Sequence, residues 1–413
     1  MMKTKVCVKR LALSALSMFC SAVAPAIAKA ADAPAWIGQA NNAFAMDLFA
    51  KLAGQDQENL FFSPNSIETA LAMTYAGARG NTAKQMAAVL HLPNIDTLHK
   101  DFGTFIDELN GTDDGKPRGY ELSTANALWG QTGADFLPAF TSLMKSNYGA
   151  GLMEVNFATN TEDARKTINA WVEKKTRDKI KDLLAPRVLT PDTTLVLTNA
   201  IYFKGTWAAK FEKAATRNEP FHFSASAESK VPMMHRTGEY GYMEGADFQA
   251  LKLGYAGGDL SMTILLPRDV DGLSRLENDL PAKLPQLSGP FDNRQVDLSM
   301  PRFQMTRAFD LSRVLQSMGM VDAFAAADFS GMTGRRDFHI SAVIHKAFVD
   351  VNEEGTEAAA ATAVIMTRSV MVEPIPPVLF RADHPFLFFI RDEKSGAILF
   401  IGRLTKPDNE TQG

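Results

Sequence analysis

Residues 353–377 read EEGTEAAAATAVIMTRSVMVEPIPP, and this stretch decides what kind of sheet the rest of the chain must build. A charged pair gives way to one glycine, a run of small residues and a proline-rich exit. As a permanent core strand it would pack poorly, because four consecutive alanines from Ala358 offer little side-chain volume. As a plain linker it would leave Val364, Ile365, Met366, Val370 and Val372 as wasted apolar surface. A short helix is a third option, since Ala and Glu are strong helix formers. A solvated loop whose alternation is accidental is a fourth. A segment that lives in two states accounts for more of the composition. When extended, Thr356, Ala358, Ala360, Thr362, Val364 and Met366 point one way, and all are small or apolar enough to enter a sheet. The opposite face begins with Glu357 and continues with Ala359, Ala361 and Ala363, so its charge can stay in water. Gly355 supplies a backbone pivot with no Cβ penalty.

Working outward, the strand predicted from Phe338 to Asn352 puts Val343, His345, Ala347, Val349 and Val351 on one face, with His345 its polar member. The strand predicted from Thr194 to Lys204 does the same with Leu195, Leu197, Asn199, Ile201 and Phe203, and there Asn199 is the odd one. A buried polar group left unpaired costs about 1–3 kcal/mol, so the alternation predicts hydrogen-bond partners for both inside a sheet core. Spacing alone favours a satisfied histidine and a satisfied amide over a catalytic pair.

The remaining chain divides by composition. Helices are predicted for Trp36 to Ala53, from the Ser63-Pro64 cap to about Ala78, for Asn81 to Leu92, Asp96 to Leu109, Leu137 to Ser146, and from about Thr161 to Leu184. Further strands are predicted for Phe221 to Met234, Ser261 to Pro267, Gln295 to Phe303 and Pro385 to Ile401. Helices early and strands late, without βαβ alternation, predict an α+β chain and argue against a Rossmann domain or a (β/α)₈ barrel. With 413 residues, 46% of them hydrophobic and 22% charged, the chain is long and apolar enough for a substantial core.

Lys3, Lys5, Lys9 and Arg10 precede an apolar stretch from Leu11 to about Ile27, followed by small residues. This pattern predicts a signal peptide over residues 1–30, a single domain over residues 31–413, and a secreted or periplasmic protein. A membrane anchor or a lipid anchor at Cys20 fits less well, because the apolar run is short and Met18 and Phe19 are bulky. Cleavage near Ala30 would remove both cysteines, Cys7 and Cys20, and five basic residues, moving the formal charge from −4 to −9. That charge argues against nucleic-acid or anionic-membrane partners. No later run is long enough to span a bilayer, and a monomer is expected.

Enzymatic signatures are sparse. HExxH, GxSxG, a phosphate-binding glycine loop and a cysteine nucleophile do not occur. Ser142 and Lys145 form an SxxK pair without its companion motifs and read as coincidence. His91, His99, His222, His235, His339 and His384 show no metal-ligand spacing and read mostly as surface residues, so neither metal nor cofactor is expected.

The stretches NLFFSPNSI from Asn59, NAWVEKKTRDKI from Asn169, LTNAIYFKGTW from Leu197, HKAFVDVNEEGTEAAAA from His345 and ADHPFLFFIRD from Ala382 resemble, in order, the signature stretches of the serpin family. The resemblance implies three β-sheets wrapped by about eight or nine helices, with an exposed reactive-centre loop at about residues 353–378. It implies that Ser63, Ser66, Asn199 and His345 form the polar cluster under the large sheet, where its strands part. Trp207, Arg302 and Glu353 match the place where the loop first inserts, with an Arg302–Glu353 ion pair expected. The hinge would be Glu353, Gly355, Thr356, Glu357, Ala358, Ala359, Ala360 and Ala361, free of an obstructing inward charge as in inhibitory members.

The implied activity is suicide-substrate inhibition of an endopeptidase, in which the acylated loop inserts as a new strand and drags the enzyme along. The fifteen residues from Gly355 to Ser369 span about 50 Å when extended, against a domain diameter of about 55 Å. Counting seventeen positions from Glu353 reaches Ser369. The Ser369–Val370 bond suits an elastase-like or subtilisin-like target, and the competing Arg368–Ser369 bond suits a trypsin-like one. A non-inhibitory serpin acting as ligand carrier or chaperone is the alternative.

Overall fold

The Ser63 hydroxyl accepts the Ser66 N–H, and Pro64 follows at the first helical position. That cap opens the helix Pro64–Tyr75, buried on every side from Pro64 to Thr74. The structure, a computed structural model, describes residues 33–111, 118–149, 151–356 and 376–407. Residues Asp32–Gly413 form one compact unit, α+β in class, with nine α-helices among the described residues.

The other helices described before residue 180 are Ala35–Ala53, Gly80–Val89, Leu98–Asn110, Pro138–Tyr148 and Phe157–Lys175. The last ends at Lys175, short of the predicted Leu184. Thr176 takes up the Val172 carbonyl with its hydroxyl, and Arg177, Asp178 and Asp182 have positive φ angles that no α-helix continues through.

A six-stranded sheet runs in the order Phe303–Asp310, Ile340–Asn352, Gly355–Thr356, Leu195–Thr206, Tyr120–Gln131, Leu152–Val155. Both faces of its central strands are buried. Val196, Ala200, Tyr202, Ala342 and Ile344 pack under Ala164, Ile168 and Val172 of the helix Phe157–Lys175. On the other face, Leu195, Leu197 and Val343 join the core among the helices, while Ile201, Phe203, Ala347 and Val349 join the core shared with the remaining strands.

Nine further strands form one hydrogen-bonded network. Within it the 18-residue strand Ala227–Glu244 serves three partners, its residues 227–233 pairing with Arg217–Ser224. Its residues 233–242 pair with Asp292–Pro301, and its residues 241–244 with Phe248–Gly254. The long strand so ties the two ends of the network together.

Two predicted strands are hairpins. Phe221 to Met234 contains a turn at Ala225–Ser226 that joins Arg217–Ser224 to Ala227–Glu244. Pro385 to Ile401 turns at Gly396, whose φ is +71°, between Phe386–Asp392 and Ile398–Leu404. Among the described residues, no helix is long and apolar enough to cross a membrane.

Candidate functional site

At one end of the six-stranded sheet the chain turns back on itself. After Asn352 it reverses through Glu353 and Glu354, the Glu354 N–H donating to Asn352 Oδ1 at 3.1 Å. Gly355–Thr356 then returns antiparallel between two strands, Thr356 lying opposite Val351 on one side and Gly205 on the other. Below that level the same two strands pair directly and in parallel, from Phe348 with Tyr202 to Ile340 with Leu195. The sheet is parted by two residues at its top and closed beneath. Gly355 has φ +144°, and a Cβ there would stand 2.0 Å from the Gly205 carbonyl oxygen and 2.7 Å from Thr206 Cα, so dihedral and space both demand glycine. Thr356 is fully buried, its hydroxyl 3.0 Å from that of Tyr255.

Trp207 frames this mouth. Its indole donates to the Asn352 carbonyl at 3.0 Å, its backbone N–H donates to the Glu354 carbonyl at 2.9 Å, and its ring stacks on Tyr255 with centroids 4.7 Å apart. Buried Glu353 accepts from the Thr216 hydroxyl at 2.7 Å. Arg302 approaches the other carboxylate oxygen only to 3.6 Å and is half exposed, so it is the weaker of the two holds. Glu354 lies against Lys210 at 2.7 Å and Lys213 at 3.3 Å. Hydrogen bonds from these two lysines hold its carboxyl below the ordinary range.

Deeper in the sheet, His345 lies opposite Asn199, and Asn199 opposite Asn126, so three polar side chains line up across three strands. The Asn199 Oδ1 takes the hydrogen of His345 Nδ1, and its Nδ2 donates to Ser66 Oγ at 2.7 Å and Asn126 Oδ1 at 2.5 Å. His345 Nε2 faces the Ser63 backbone N–H at 3.2 Å and must accept. The ring is therefore neutral with its proton on Nδ1, and burial drives its pKa down to about 3. Ser63 Oγ donates to the Leu399 carbonyl at 2.7 Å and accepts from Ser66 N–H at 3.2 Å. Each member has its partners, and Ser63, Ser66, Asn199 and His345 are all buried, so none of these four meets solvent as a nucleophile or base would.

Sequence reasoning missed Asn126, Tyr255, Thr216, Lys210 and Glu354. For Asn126 a signal existed, since it is the amide in the alternation Leu122, Thr124, Asn126, Leu128 of a twelve-residue strand that was not anticipated. Ser142 and Lys145 are both exposed on their helix. His384 is buried and meets the Pro267 carbonyl at 2.7 Å, which corrects the surface reading for that histidine. Glu357, Ala358, Ala359, Ala360 and Ala361, and the candidate bond at Arg368, Ser369 and Val370, lie outside the described residues. Among the described residues no three His, Cys, Asp or Glu side chains gather as a metal site would require.

A sheet that admits a returning strand at one end, and is closed over buried hydrogen bonds below it, defines a class of protein built around a strand that can be added. The chain belongs to the serpin family of serine protease inhibitors, whose family profile matches residues 39–407. It is 44% identical to the human leukocyte elastase inhibitor over 383 residues, covering 90% of this chain and 99% of that protein. It is 42% identical to a serpin-like protein of Thermococcus kodakarensis, covering 89% of this chain and 84% of that one. Among solved structures it is similar to Serpin48 of the insect Tenebrio molitor, with a TM-score of 0.81 at 33% identity, covering 90% of this chain and 98% of that one. It is also similar to uncleaved ovalbumin, with a TM-score of 0.80 at 31% identity, covering 90% of this chain and 100% of that one.

The same relatives correct the expectation of export. The matches take in 99% of the human and bovine leukocyte elastase inhibitors and of human serpin B4, but 90% of this chain. Those proteins therefore have no room for a signal peptide ahead of the shared fold. The basic and apolar pattern of residues 1–30 was the whole ground for a secreted or periplasmic location, and that assignment is withdrawn. The charge of −9 and the loss of both cysteines, which depended on cleavage, go with it.

Proposed function

We propose that this chain inhibits elastase-like serine endopeptidases as a suicide substrate, by inserting its reactive loop into the six-stranded sheet. The observation that carries the reading is the pairing of Gly355–Thr356 between Ile340–Asn352 and Leu195–Thr206. Continuing that register downward, each further loop residue meets one residue less on each flanking strand. Thr362 would then arrive between Asn199 and His345, and Met366 opposite Leu195, where the strand begins. Both flanking registers give the same residue, because Asn199 and His345 are themselves opposite each other. Insertion must break the His345–Asn199 hydrogen bond, and the Thr362 hydroxyl can replace it, accepting from His345 Nδ1 and donating to Asn199 Oδ1. On insertion Ala358 and Ala360 would share the inward parity of buried Thr356, and alanine would present little volume to the core.

The protease serine would attack the carbonyl carbon of Ser369, the C–N bond to Val370 would break, and the new amine would leave with the transferred proton. Insertion would then outrun water at the remaining ester. The protease supplies the catalysis and this chain supplies the strand. The elastase-like preference is supported by the named relatives and by small Ser369; cleavage at Arg368–Ser369 would instead mark a trypsin-like target. Incubation with elastase, subtilisin and trypsin, followed by denaturing electrophoresis, tests the reading. An SDS-stable complex with elastase is expected, together with a released peptide beginning at Val370. Complete cleavage by all three without any complex would overturn inhibition and favour a carrier or chaperone.

A further inference from the structure

The helix Leu98–Asn110 runs out on an asparagine followed by a glycine. Asn110 is exposed, and Gly111 leaves the helix with φ +83° and ψ +113°. L side chains rarely adopt that conformation, so the turn keeps a glycine there. Asn110–Gly111 is the one Asn-Gly pair in the 413 residues. Glycine is the successor that leaves an asparagine most open, because no Cβ crowds the approach of its backbone nitrogen to the carboxamide carbon of the residue before it.

Local geometry adds to this. The Gly111 N–H reaches the Glu108 carbonyl only at 3.4 Å, longer than an ordinary N–H···O bond and at a helix end, where the ladder frays. The Arg118 guanidinium stands against Gly111, its Nε 2.8 Å from where a Cβ would be, while its Nη1 donates to the Glu108 carbonyl at 2.7 Å. A cation there favours loss of the Gly111 amide proton, which makes that nitrogen a nucleophile. Asn65–Ser66 is the contrasting case. Ser66 is also small, but both residues are buried inside a helix, and the Ser66 N–H donates to Ser63 Oγ at 3.2 Å.

We propose that Asn110 is a self-modification site, at which the chain converts its own asparagine to aspartate and isoaspartate with water as co-reactant. The deprotonated Gly111 nitrogen attacks Asn110 Cγ, the Cγ–Nδ2 bond breaks, and ammonia leaves with the transferred proton, closing a five-membered imide. Water then adds at either imide carbonyl carbon. Breaking the bond from Cγ to the Gly111 nitrogen gives aspartate, and breaking the bond from the Asn110 backbone carbonyl carbon to that nitrogen gives isoaspartate. One water is consumed and one ammonia released. The formal charge of the chain moves from −4 to −5, one neutral amide giving one carboxylate. That carboxylate arrives beside Asp107 and Glu108, at the helix end where negative charge is least favoured. The site stands independently of protease inhibition.

The test is prolonged incubation of the full chain at mildly alkaline and mildly acidic pH, followed by isoelectric focusing. Mass analysis of the peptide 101–118, released from the denatured chain by cleavage after Lys100 and Arg118, then locates the change. A more acidic form should accumulate, faster at alkaline pH, and the peptide should separate into asparagine, aspartate and isoaspartate forms while the peptide carrying Asn65 stays unchanged. Asn110→Gln, whose longer side chain would have to close a six-membered ring, should lower the conversion about tenfold or more. Three results would overturn the site: a folded chain that keeps the Asn110 amide while the same sequence converts as a free peptide, an Asn110→Gln chain that acidifies as fast as the parent, or conversion at Asn65 that matches Asn110.

Discussion

The six-stranded sheet is held in two different ways along one seam. At Thr356 its strands are already parted by two residues, and the groups around the mouth include Arg302, Lys210 and Lys213, which reach water. Six residues further along, about 20 Å away, the strands meet directly at Asn199 and His345, and every group there is buried. The mouth needs no opening before a loop can begin to enter. The centre does, because the incoming strand must take the place of a buried hydrogen bond. The resistance to insertion therefore sits at the centre, and the mouth sets only what can enter.

The largest effect should come from breaking the mouth's side of that contrast. Thr356→Arg places a charge at a fully buried position against Tyr255, where it would have to be desolvated. Insertion should stall, and SDS-stable complex with elastase should fall at least tenfold in favour of simple cleavage. An unchanged complex yield would mean that Thr356 is not on the insertion path.

The centre should answer next, through stability. Asn199→Ala strands the His345 Nδ1–H and removes the donor that serves Ser66 and Asn126. A loss of about 2–3 kcal/mol in denaturant unfolding is expected. The same region carries a pH dependence of its own. His345, neutral and driven to about 3 when folded, titrates near 6.5 when unfolded. The unfolded state therefore binds the proton first, and stability present above pH 6.5 falls as the pH drops toward 3, by at most about 1.4 kcal/mol per pH unit. His99, lowered to about 4 by burial, contributes with the same sign. Comparing Tm between pH 6.5 and 5 for the parent and for His345→Asn isolates the central histidine, and equal slopes would remove it from the account.

How much of this contrast was legible in sequence follows from what each end is made of. The centre's His345 and Asn199 stood out because a polar residue in a strictly alternating apolar face violates the period, and period survives without tertiary knowledge. Ser63 was legible as a helix cap, though its second role, presenting a backbone N–H to His345, was not. Asn126 was lost with its strand, since YELSTANALWG mixes small and polar residues that carry little strand signal. The mouth was harder. Lys210 and Thr216 reach the hinge from one stretch and Tyr255 from another, each about 100 residues or more away in sequence, and such convergence is a property of the fold that no local window contains. The hinge itself was legible at Gly355, because a glycine between charged and small residues asks for a backbone reason, and the 2.0 Å approach to the Gly205 carbonyl supplies it.

The smallest expected effect separates two holds on one carboxylate. Thr216 donates to Glu353 at 2.7 Å, whereas Arg302 stands 3.6 Å away with its side chain half in water. A partly screened ion pair at that distance contributes little, while an accepted hydrogen bond to a buried carboxylate contributes more than its share of charge would suggest. Thr216→Val should therefore destabilise by about 1–2 kcal/mol, and Arg302→Ala by less than about 0.5 kcal/mol. Denaturant midpoints of the two variants, measured at low and high salt, decide between the holds. If Arg302→Ala proves the costlier and its effect fades with salt, the mouth is held by charge after all, and its likeness to the salt-insensitive centre is even weaker than the distances suggest.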